Sequence, residues 1–211
     1  MALKGSLVVI SGFSGVGKGT VIGQMMKAHE GYAYSVSATT RARREGEQDG
    51  VDYFFVSEEE FTRMIRDHEL VEYTNYCDNF YGTPKTFVNQ QLEQGKDVIL
   101  EIETQGANLI RRQFPDALLL FIMPPSGEEL LNRLNARGSE SGEVIRQRMK
   151  RAAKEAETIN DYDYVFINDD VEECAELIHA LIVSQKARTN RNYQKITRIR
   201  SEINDYLKGE N

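Results

Sequence analysis

The chain has 211 residues, of which 40% are hydrophobic, and a formal net charge of −7 at pH 7. This length suffices for one domain with a full core, or for a core with inserted subdomains. The acidic total excludes a general electrostatic attraction to nucleic acid, so any phosphate site must be built from a local concentration of arginines.

The cysteines and the apolar segments limit the compartment in which the protein acts. Cys77 and Cys174 are too few and too far apart in the sequence for a disulfide framework. The apolar run that ends at Ser11 is too short for a signal peptide, and no later stretch approaches a membrane span. We therefore expect a cytoplasmic protein that binds neither membranes nor nucleic acid.

A buried strand, a glycine-rich turn and a helix are predicted at the start of the chain. Leu7 to Ile10 form a continuous apolar run, which is typical of a strand in a parallel sheet, and residues 18–29 read as a helix. The turn between them has the spacing of a Walker A loop. It consists of Gly12, Phe13, Ser14, Gly15, Val16, Gly17, Lys18, Gly19 and Thr20.

This turn has the chemistry that binds the phosphates of ATP or GTP. Its glycines allow the backbone to turn successive N–H groups toward a phosphate, and the helix N-terminus adds partial positive charge. Lys18 supplies a full charge that can reach the β- and γ-phosphates. Gly19 stands where the strict pattern has Ser or Thr to meet Mg²⁺, and Thr20 follows it. We therefore expect Mg²⁺ to be held mainly by phosphates, water and distant carboxylates, with Thr20 as a candidate ligand.

Residues 37–85 interrupt the α/β pattern and are predicted to form an inserted α+β subdomain. The segment is rich in Thr, Tyr, Arg and Glu, with short strand-like pieces and a helix near residues 58–67. Three arginines, Arg41, Arg43 and Arg44, follow several hydroxyl-bearing residues. Arginine forks bind phosphate oxygens in bidentate fashion, although such a cluster is also compatible with a solvated charged loop.

The rest of the chain alternates between strands and helices. Strand-like runs at residues 98–100, 118–123 and 164–167 each precede a helical stretch. This alternation predicts an α/β fold with a parallel sheet flanked by helices, and a core domain made of residues 1–36 and 86–211. A Gly/Ser-rich connection predicts a small mobile lid at about residues 136–147. The basic residues from about 184 to 211 predict a C-terminal helix with a solvated face, or alternatively a homo-oligomer contact.

Several motifs, in order along the chain, resemble the guanylate kinase family. They are residues 37–47, Gly50-Val51-Asp52-Tyr53-Phe54-Phe55-Val56, Asn79-Phe80-Tyr81-Gly82-Thr83, Glu101-Ile102-Glu103-Thr104-Gln105-Gly106-Ala107, Pro124-Pro125-Ser126, Arg133 with Arg137-Gly138, and Val165-Phe166-Ile167-Asn168-Asp169-Asp170. The resemblance extends to about Arg188. It implies a P-loop NTPase-type fold and an enzyme that uses Mg²⁺ and ATP to phosphorylate GMP or dGMP.

The resemblance also implies which residues bind GMP. Arg41, Arg44 and Tyr81 match positions on the GMP phosphate, with Tyr53 nearby, and Glu103 matches a carboxylate that contacts GMP. Two guanidinium groups and phenol donors suit a dianion.

The guanine base would be read by a carboxylate and two hydroxyls. Glu72 matches the family carboxylate that faces guanine, whose N1–H and N2–H donors lie side by side. Adenine would leave this carboxylate unpaired, which is a strong source of discrimination. Ser37 and Thr83 match hydroxyl positions that contact the base.

The remaining matches concern ATP and the transferred group. Arg133, Arg137 and Arg148 match arginines of the lid and its hinge helix, where positive charge would stabilise the transition state. Asn168 matches a residue near adenine, although it could also cap the next helix. Glu101 matches a carboxylate near the Mg²⁺–phosphate region, directly or through water. The catalytic residues implied in this way are Lys18, Arg41, Arg137 and Arg148.

Two alternatives remain open. A guanylate-kinase-like module of scaffold proteins binds phosphorylated partners without catalysis, although the intact Lys18 argues against this interpretation. A related P-loop kinase could act on another phosphorylated small molecule, although Glu72 with Ser37 and Thr83 favours guanine.

Overall fold

The protein was analysed as a computed structural model that describes residues 4–76, 78–136 and 142–209. Within them the strands are β1 (Leu7–Gly12), β2 (Tyr32–Tyr34), β3 (Ala38–Thr39), β4 (Phe54–Phe55), β5 (Leu70–Tyr76), β6 (Asn79–Pro84), β7 (Asp97–Glu101), β8 (Leu118–Met123) and β9 (Tyr164–Ile167). The helices are α1 (Lys18–Ala28), α2 (Glu58–Arg66), α3 (Lys85–Glu93), α4 (Thr104–Gln113), α5 (Gly127–Ala136), α6 (Gly142–Ala156), α7 (Val171–Gln185) and α8 (Tyr193–Gly209). Cys77, Arg137 and the predicted lid residues 137–141 lie outside the described residues.

Five parallel strands form the central sheet, in the order β2-β7-β1-β8-β9. β1 lies in the middle, where Val8 is opposite Ile99 of β7 on one side and Leu118 of β8 on the other. All residues of β1 are buried, because helices cover both faces of the sheet and leave no polar side to the strand. The predicted α/β fold is confirmed.

Each face of the central sheet has its own hydrophobic core. Helices α1 and α7 contribute to one core, and α3 and α4 contribute to the other. The apolar residues of these helices that are buried in the two cores are Val21, Ile22, Met25, Cys174, Ala175, Ile178 and Ile182 on one face, and Val88, Leu92, Ala107 and Ile110 on the other. None of the helices in the described parts of the chain is long and apolar enough to cross a bilayer.

A second sheet is built from strands between residues 38 and 84, in the order β4-β3-β6-β5. β3 pairs parallel with β4 and antiparallel with β6, and β6 pairs antiparallel with β5. Helix α2 begins after Ser57, whose side chain accepts a hydrogen bond from the Glu60 amide. Its Phe61 is fully buried and stacks on Phe80 with ring centroids 5.4 Å apart. These contacts join α2 and the second sheet into one unit.

The basic C-terminal stretch, expected to be one helix over about 184–211, is divided. Helix α7 ends at Gln185, a short 3-10 helix spans Thr189–Asn192, and α8 begins at Tyr193. The side-chain amide of Asn192 donates to the carbonyl oxygens of Lys186 and Arg188, at 2.8 and 3.0 Å. These side-chain hydrogen bonds stabilise a turn after α7 and therefore compete with continuation of the helix.

Candidate active site

The phosphate-binding loop connects β1 to α1. Gly15 and Gly17 have φ angles of 91° and 92°, a left-handed conformation that residues with side chains rarely adopt. At Gly12 a Cβ atom would lie 2.4 Å from the carbonyl oxygen of Ile122 on β8. The glycine spacing therefore satisfies both the backbone angles of the turn and its packing against the sheet.

The ammonium group of Lys18 lies over this loop. Its Nζ donates to the carbonyl oxygens of Gly12 at 2.8 Å and Phe13 at 3.3 Å. Carbonyl oxygens carry only partial charge, so these contacts hold the cation at the loop without neutralising it. The positive charge of Lys18 is therefore available to a phosphate that enters the loop.

The carbonyl oxygen of Val16 is held by two residues predicted to bind ATP. Asn168 is buried and donates from Nδ2 at 2.7 Å, and Arg133 donates from Nη1 at 3.3 Å. The side chain that caps α7 is that of Asp170, so Asn168 does not have the alternative role of helix cap. Asn168 and Arg133 brace the loop, and their direct contact with ATP stays a prediction.

One cavity of about 490 Å³ is lined by the loop, the end of β7 and the second sheet. It brings together residues from distant parts of the sequence, because the two sheets face each other across it. The predicted residues that line it are Ser14, Lys18, Ser37, Arg41, Arg44, Tyr53, Glu72, Tyr81, Glu101, Glu103 and Arg148. The predicted residues that do not line it are Gly12, Phe13, Gly15, Val16, Gly17, Gly19, Thr20, Thr83, Arg133 and Asn168.

Arg41 is the most restrained cation of the cavity. Its two terminal nitrogens pair with the carboxylate of Glu47, and Glu47 also accepts from the backbone amide of Arg44 at 2.8 Å. The guanidinium carbon lies 5.3 Å from the ring centre of Tyr53 and 5.7 Å from that of Phe55. The bond to Glu47 raises the pKa of Arg41, so this group stays charged at any pH in which the protein is folded.

Glu72 lies at the opposite wall and is buried, with 5% of its surface exposed. Thr83 is fully buried behind it and donates from its hydroxyl to Glu72 Oε1 at 2.7 Å. Burial raises the pKa of Glu72 to about 7, although the hydrogen bond from Thr83 acts in the other direction. In this arrangement Thr83 orients the Glu72 carboxylate and does not present its own hydroxyl to the cavity.

Two carboxylates from the end of β7 line the same cavity. Glu101 Oε2 accepts from the hydroxyl of Tyr34 at 3.1 Å, and Glu103 Oε2 accepts from Nη2 of Arg151 at 3.0 Å. A Cβ at Gly19 would lie 3.5 Å from Glu101 Oε2, so this carboxylate lies beside the first turn of α1. Both positions agree with the rule that ligands bind at the carboxyl edge of an open α/β sheet.

The surroundings of Glu101 suit a Mg²⁺ ion that is bound together with a nucleotide. Among the described residues no group of three or more His, Cys, Asp or Glu side chains could hold a metal. Mg²⁺ commonly needs only one or two carboxylates, because water and substrate phosphates supply the other ligands. Glu101 beside the phosphate-binding loop matches this requirement, whereas Thr20 is exposed on α1.

The structure adds four residues that the sequence did not single out. Tyr34 contacts Glu101, Glu47 contacts Arg41 and Arg151 contacts Glu103. The fourth is Gly106, where a Cβ would lie 2.8 Å from Glu72 Oε2. Glu47 ends the arginine-rich motif and Gly106 lies in the motif that begins at Glu101, so both had a signal in the sequence, whereas the contacts of Tyr34 and Arg151 join distant segments.

Comparisons with known proteins find similarity to guanylate kinases along most of the chain. A family model described as guanylate kinase matches residues 4–185. The guanylate kinase of Caldanaerobacter subterraneus is 48% identical over 199 residues, which cover 94% of this chain and 97% of the relative. That of Lactococcus lactis is 44% identical over 203 residues, covering 96% and 99%. The crystal structure of guanylate kinase from Anaplasma phagocytophilum matches with a TM-score of 0.77 and 33% identity, covering 92% of this chain and 94% of that one.

Proposed function

The chain belongs to the guanylate kinase family and transfers the γ-phosphoryl group of ATP to GMP, and we propose that the two nucleotides meet in the cavity described above. One observation carries this proposal: Lys18 on the phosphate-binding loop, Arg41 on the inserted segment and the buried Glu72 line the same cavity. Each is suited to a different part of the reaction, namely the ATP phosphates, the GMP phosphate and the guanine base.

The GMP end of the cavity consists of residues 37–85 with Glu103. Arg41 and Arg44, with the phenols of Tyr53 and Tyr81, form the phosphate site of the proposal, since guanidinium and phenol groups donate to phosphate oxygens. Glu72 accepts from guanine N1–H and N2–H. The hydroxyl of Ser37 donates to O6, and Thr83 acts through its bond to Glu72.

The ATP end consists of the loop and the arginines of α5 and α6. Lys18 and the loop amides bind the β- and γ-phosphates, while Arg148 and Arg137 supply positive charge as the phosphoryl group moves. Asn168 and Arg133 stabilise the conformation of the loop through their hydrogen bonds to the carbonyl oxygen of Val16. Mg²⁺, when bound with ATP, neutralises charge on the phosphates, and Glu101 would hold it through oxygen or water, with Thr20 as the second candidate.

The reaction needs positioning more than acid–base chemistry. The attacking oxygen of GMP is already anionic near neutral pH, so no general base is required. The cavity holds the acceptor phosphate at Arg41 and the γ-phosphate at Lys18 for in-line transfer. Closure of the lid, predicted at about residues 136–147, would exclude water that otherwise hydrolyses ATP.

A coupled assay with ATP and Mg²⁺ across GMP, dGMP, AMP and UMP tests this function. We expect GMP to be the preferred acceptor and Lys18→Ala to lose nearly all turnover with every acceptor. Phosphopeptide or nucleotide binding without turnover would favour a non-catalytic binding module. Equal rates with AMP, UMP or a sugar phosphate would favour a kinase for another phosphorylated molecule. Cell fractionation would test the cytoplasmic location that we propose for this reaction.

We also propose that α8 pairs with α8 of a second copy. Ile196, Ile199, Ile203 and Leu207 recur at the three- and four-residue spacing of one helix face, and the last three are 48–56% exposed. The first half of α8 carries three basic residues, while the second half carries Glu202, which pairs with Arg198 at 3.4 Å, Asp205 and Lys208, so it is acidic by one charge. An antiparallel pair would place each basic half opposite the partner's acidic half, so the helix is complementary to itself.

Sedimentation equilibrium tests the pairing of α8. We expect wild-type protein to associate and the double variant Ile199→Ser with Ile203→Ser to be monomeric, because two apolar side chains leave the interface. Thr197→Ser changes an exposed residue outside this apolar face and should leave the association unchanged. Wild-type protein that stays monomeric at all concentrations would contradict the pairing of α8, and the assignment as a kinase would still hold.

A further inference from the structure

Helix α6 carries two arginines on one face toward the active-site cavity. Arg148 and Arg151 are three residues apart, which places them on the same side of a helix. Arg148 Nη1 donates to the hydroxyl of Ser14 on the phosphate-binding loop at 2.5 Å. Arg151 Nη2 donates to Glu103 Oε2 at 3.0 Å. One helix therefore contacts both the loop for ATP and a carboxylate at the GMP end of the cavity.

Arg151 is itself held by a second carboxylate. Its Nε donates to Glu155 Oε1 at 2.6 Å, one helical turn further along α6. The side chain of Glu155 is only 7% exposed, compared with 38% for Glu103. Burying a carboxylate is costly unless a cation pairs with it, so Glu155 fixes Arg151 strongly. Glu155 therefore holds the guanidinium group of Arg151 in the position from which it contacts Glu103.

The surroundings of Glu155 are unusual for a purely structural ion pair. Its second oxygen, Oε2, is buried and has no hydrogen-bond partner among the described residues. Burial raises the pKa of Glu155, as does the negative charge of Glu103, while Arg151 lowers it. A buried oxygen in this state costs stability, and here it belongs to the ion pair that holds Arg151.

We propose that Arg151 is a positioning residue that holds the carboxylate of Glu103 in the orientation that receives the acceptor nucleotide, with Glu155 as its buried anchor. This inference rests on the proposed acceptor site. Because Arg148 and Arg151 belong to the same helix, a movement of α6 shifts the contacts at Ser14 and at Glu103 together. The same helix begins within the stretch expected to form the lid, at about residues 136–147.

Kinetics and GMP binding of Arg151 variants test this role. Arg151→Met should raise the GMP KM and the calorimetric GMP Kd by about tenfold, since a charged hydrogen bond that orients Glu103 is lost. The ATP KM should change by less than about twofold. Arg151→Lys should restore part of the GMP affinity. Lys150→Met removes the neighbouring charge on the exposed face of α6 and should behave as wild type.

A double-mutant cycle separates positioning from mere support of the fold. If Arg151 acts through Glu103, then Arg151→Met should add little to the GMP defect of Glu103→Gln. The variant Arg151→Met with Glu155→Gln leaves no unpaired buried carboxylate and should show the same GMP defect with a melting temperature near that of wild type.

Four results would overturn this inference or its premise. Unchanged GMP affinity in Arg151→Met, with wild-type protein binding GMP normally, would remove Arg151 from the site. Additive losses in the double-mutant cycle, or equal losses for ATP and GMP, would assign Arg151 a structural role. Wild-type protein that bound no GMP would instead overturn the proposed acceptor site, and this inference with it.

Discussion

Glu47 accepts hydrogen bonds from both terminal nitrogens of Arg41, at 2.7 Å from Nη2 and 3.1 Å from Nη1. The carbonyl oxygen of Ala42 accepts a third, at 2.8 Å from Nη1. A guanidinium group has five N–H donors. The donors that remain, on Nε and Nη2, are those that a phosphate oxygen or the neighbouring Tyr81 hydroxyl can use. Glu47 therefore sets the plane of Arg41 before GMP arrives.

The first prediction concerns this ion pair. Glu47→Gln should raise the GMP KM by about tenfold, because a neutral amide holds the guanidinium less firmly than a carboxylate does. The ATP KM should stay nearly constant, and Arg41→Ala should have a larger effect on GMP than Glu47→Gln. Steady-state kinetics with each nucleotide varied in turn provides the measurement.

Glu45→Gln serves as the matched control for this variant. Glu45 is exposed and lies two residues before Glu47, so its substitution by glutamine removes an equal charge from the same segment. If both variants raised the GMP KM equally, the effect would be one of general charge and not of the contact with Arg41.

The second prediction concerns Lys18. Lys18→Ala should lower kcat by at least about a thousandfold, because a full positive charge leaves the β- and γ-phosphates in the transition state. The GMP Kd should change little, since Lys18 belongs to the phosphate-binding loop and not to the inserted segment proposed to bind GMP. A coupled assay and calorimetry with GMP measure the two effects, and wild-type turnover in this variant would reject the role of Lys18.

The elements that the sequence predicted correctly depend on local patterns. The apolar run of β1 and the glycine spacing after it require no knowledge of distant residues, and both appear as predicted. The α2 helix is also local, with Ser57 as cap and a first turn of three glutamates. Glu72 differs, because its pattern resembles an ordinary strand carboxylate and only the family resemblance assigned it a role.

The features that were not predicted depend on contacts between distant segments. Helix α3 contains Thr86, Phe87, Val88 and Asn89, whose helix propensities are low, and its formation depends on packing against the central sheet. The roles of Gly106 and Arg151 follow from proximity to Glu72 and Glu103, which lie more than thirty positions away in each case. No periodicity in one sequence reports such proximity.

The third prediction concerns Gly106, on the first turn of α4. Gly106→Ala places a Cβ 2.8 Å from Glu72 Oε2, so the carboxylate has to move. The end of a side chain moves easily, and alanine favours a helix over glycine by about 1 kcal/mol. We therefore expect a higher GMP KM without loss of thermal stability, measured by kinetics and by circular dichroism.

The control variant for Gly106→Ala is Gly23→Ala in helix α1. A Cβ at Gly23 would meet no atom within 4 Å. This variant should gain stability and keep the wild-type GMP KM. An unchanged GMP KM in Gly106→Ala would show that α4 does not limit the position of Glu72.

The fourth prediction concerns base selection by Glu72. In Glu72→Gln an N–H donor replaces one of the two acceptor oxygens, so the side chain can no longer accept from both N1–H and N2–H of guanine. The ratio of kcat/KM for GMP over AMP should fall by about a hundredfold. An unchanged preference, measured in the coupled assay with both acceptors, would reject the carboxylate as the group that reads the base.

The fifth prediction concerns stability, because the same carboxylate destabilises the folded protein when it is charged. Burial raises the pKa of Glu72 from 4.5 to about 7. Below the lower value the group is protonated in the folded and the unfolded chain alike. As the pH rises between the two values, the unfolded chain releases its proton first, so stability falls, and above about pH 7 the whole cost of about 3 kcal/mol is present.

Glu72→Gln should therefore melt at a higher temperature than wild type at about pH 8 and at nearly the same temperature at about pH 4. Scanning calorimetry without nucleotides makes the comparison, and Glu93→Gln, on the exposed face of α3, should show no such pH-dependent gain. A gain of stability together with a loss of GMP selectivity would mean that the carboxylate is kept for recognition at the expense of the fold. A stability difference that did not depend on pH would contradict the raised pKa, because an ordinary exposed carboxylate is fully ionised over most of this range.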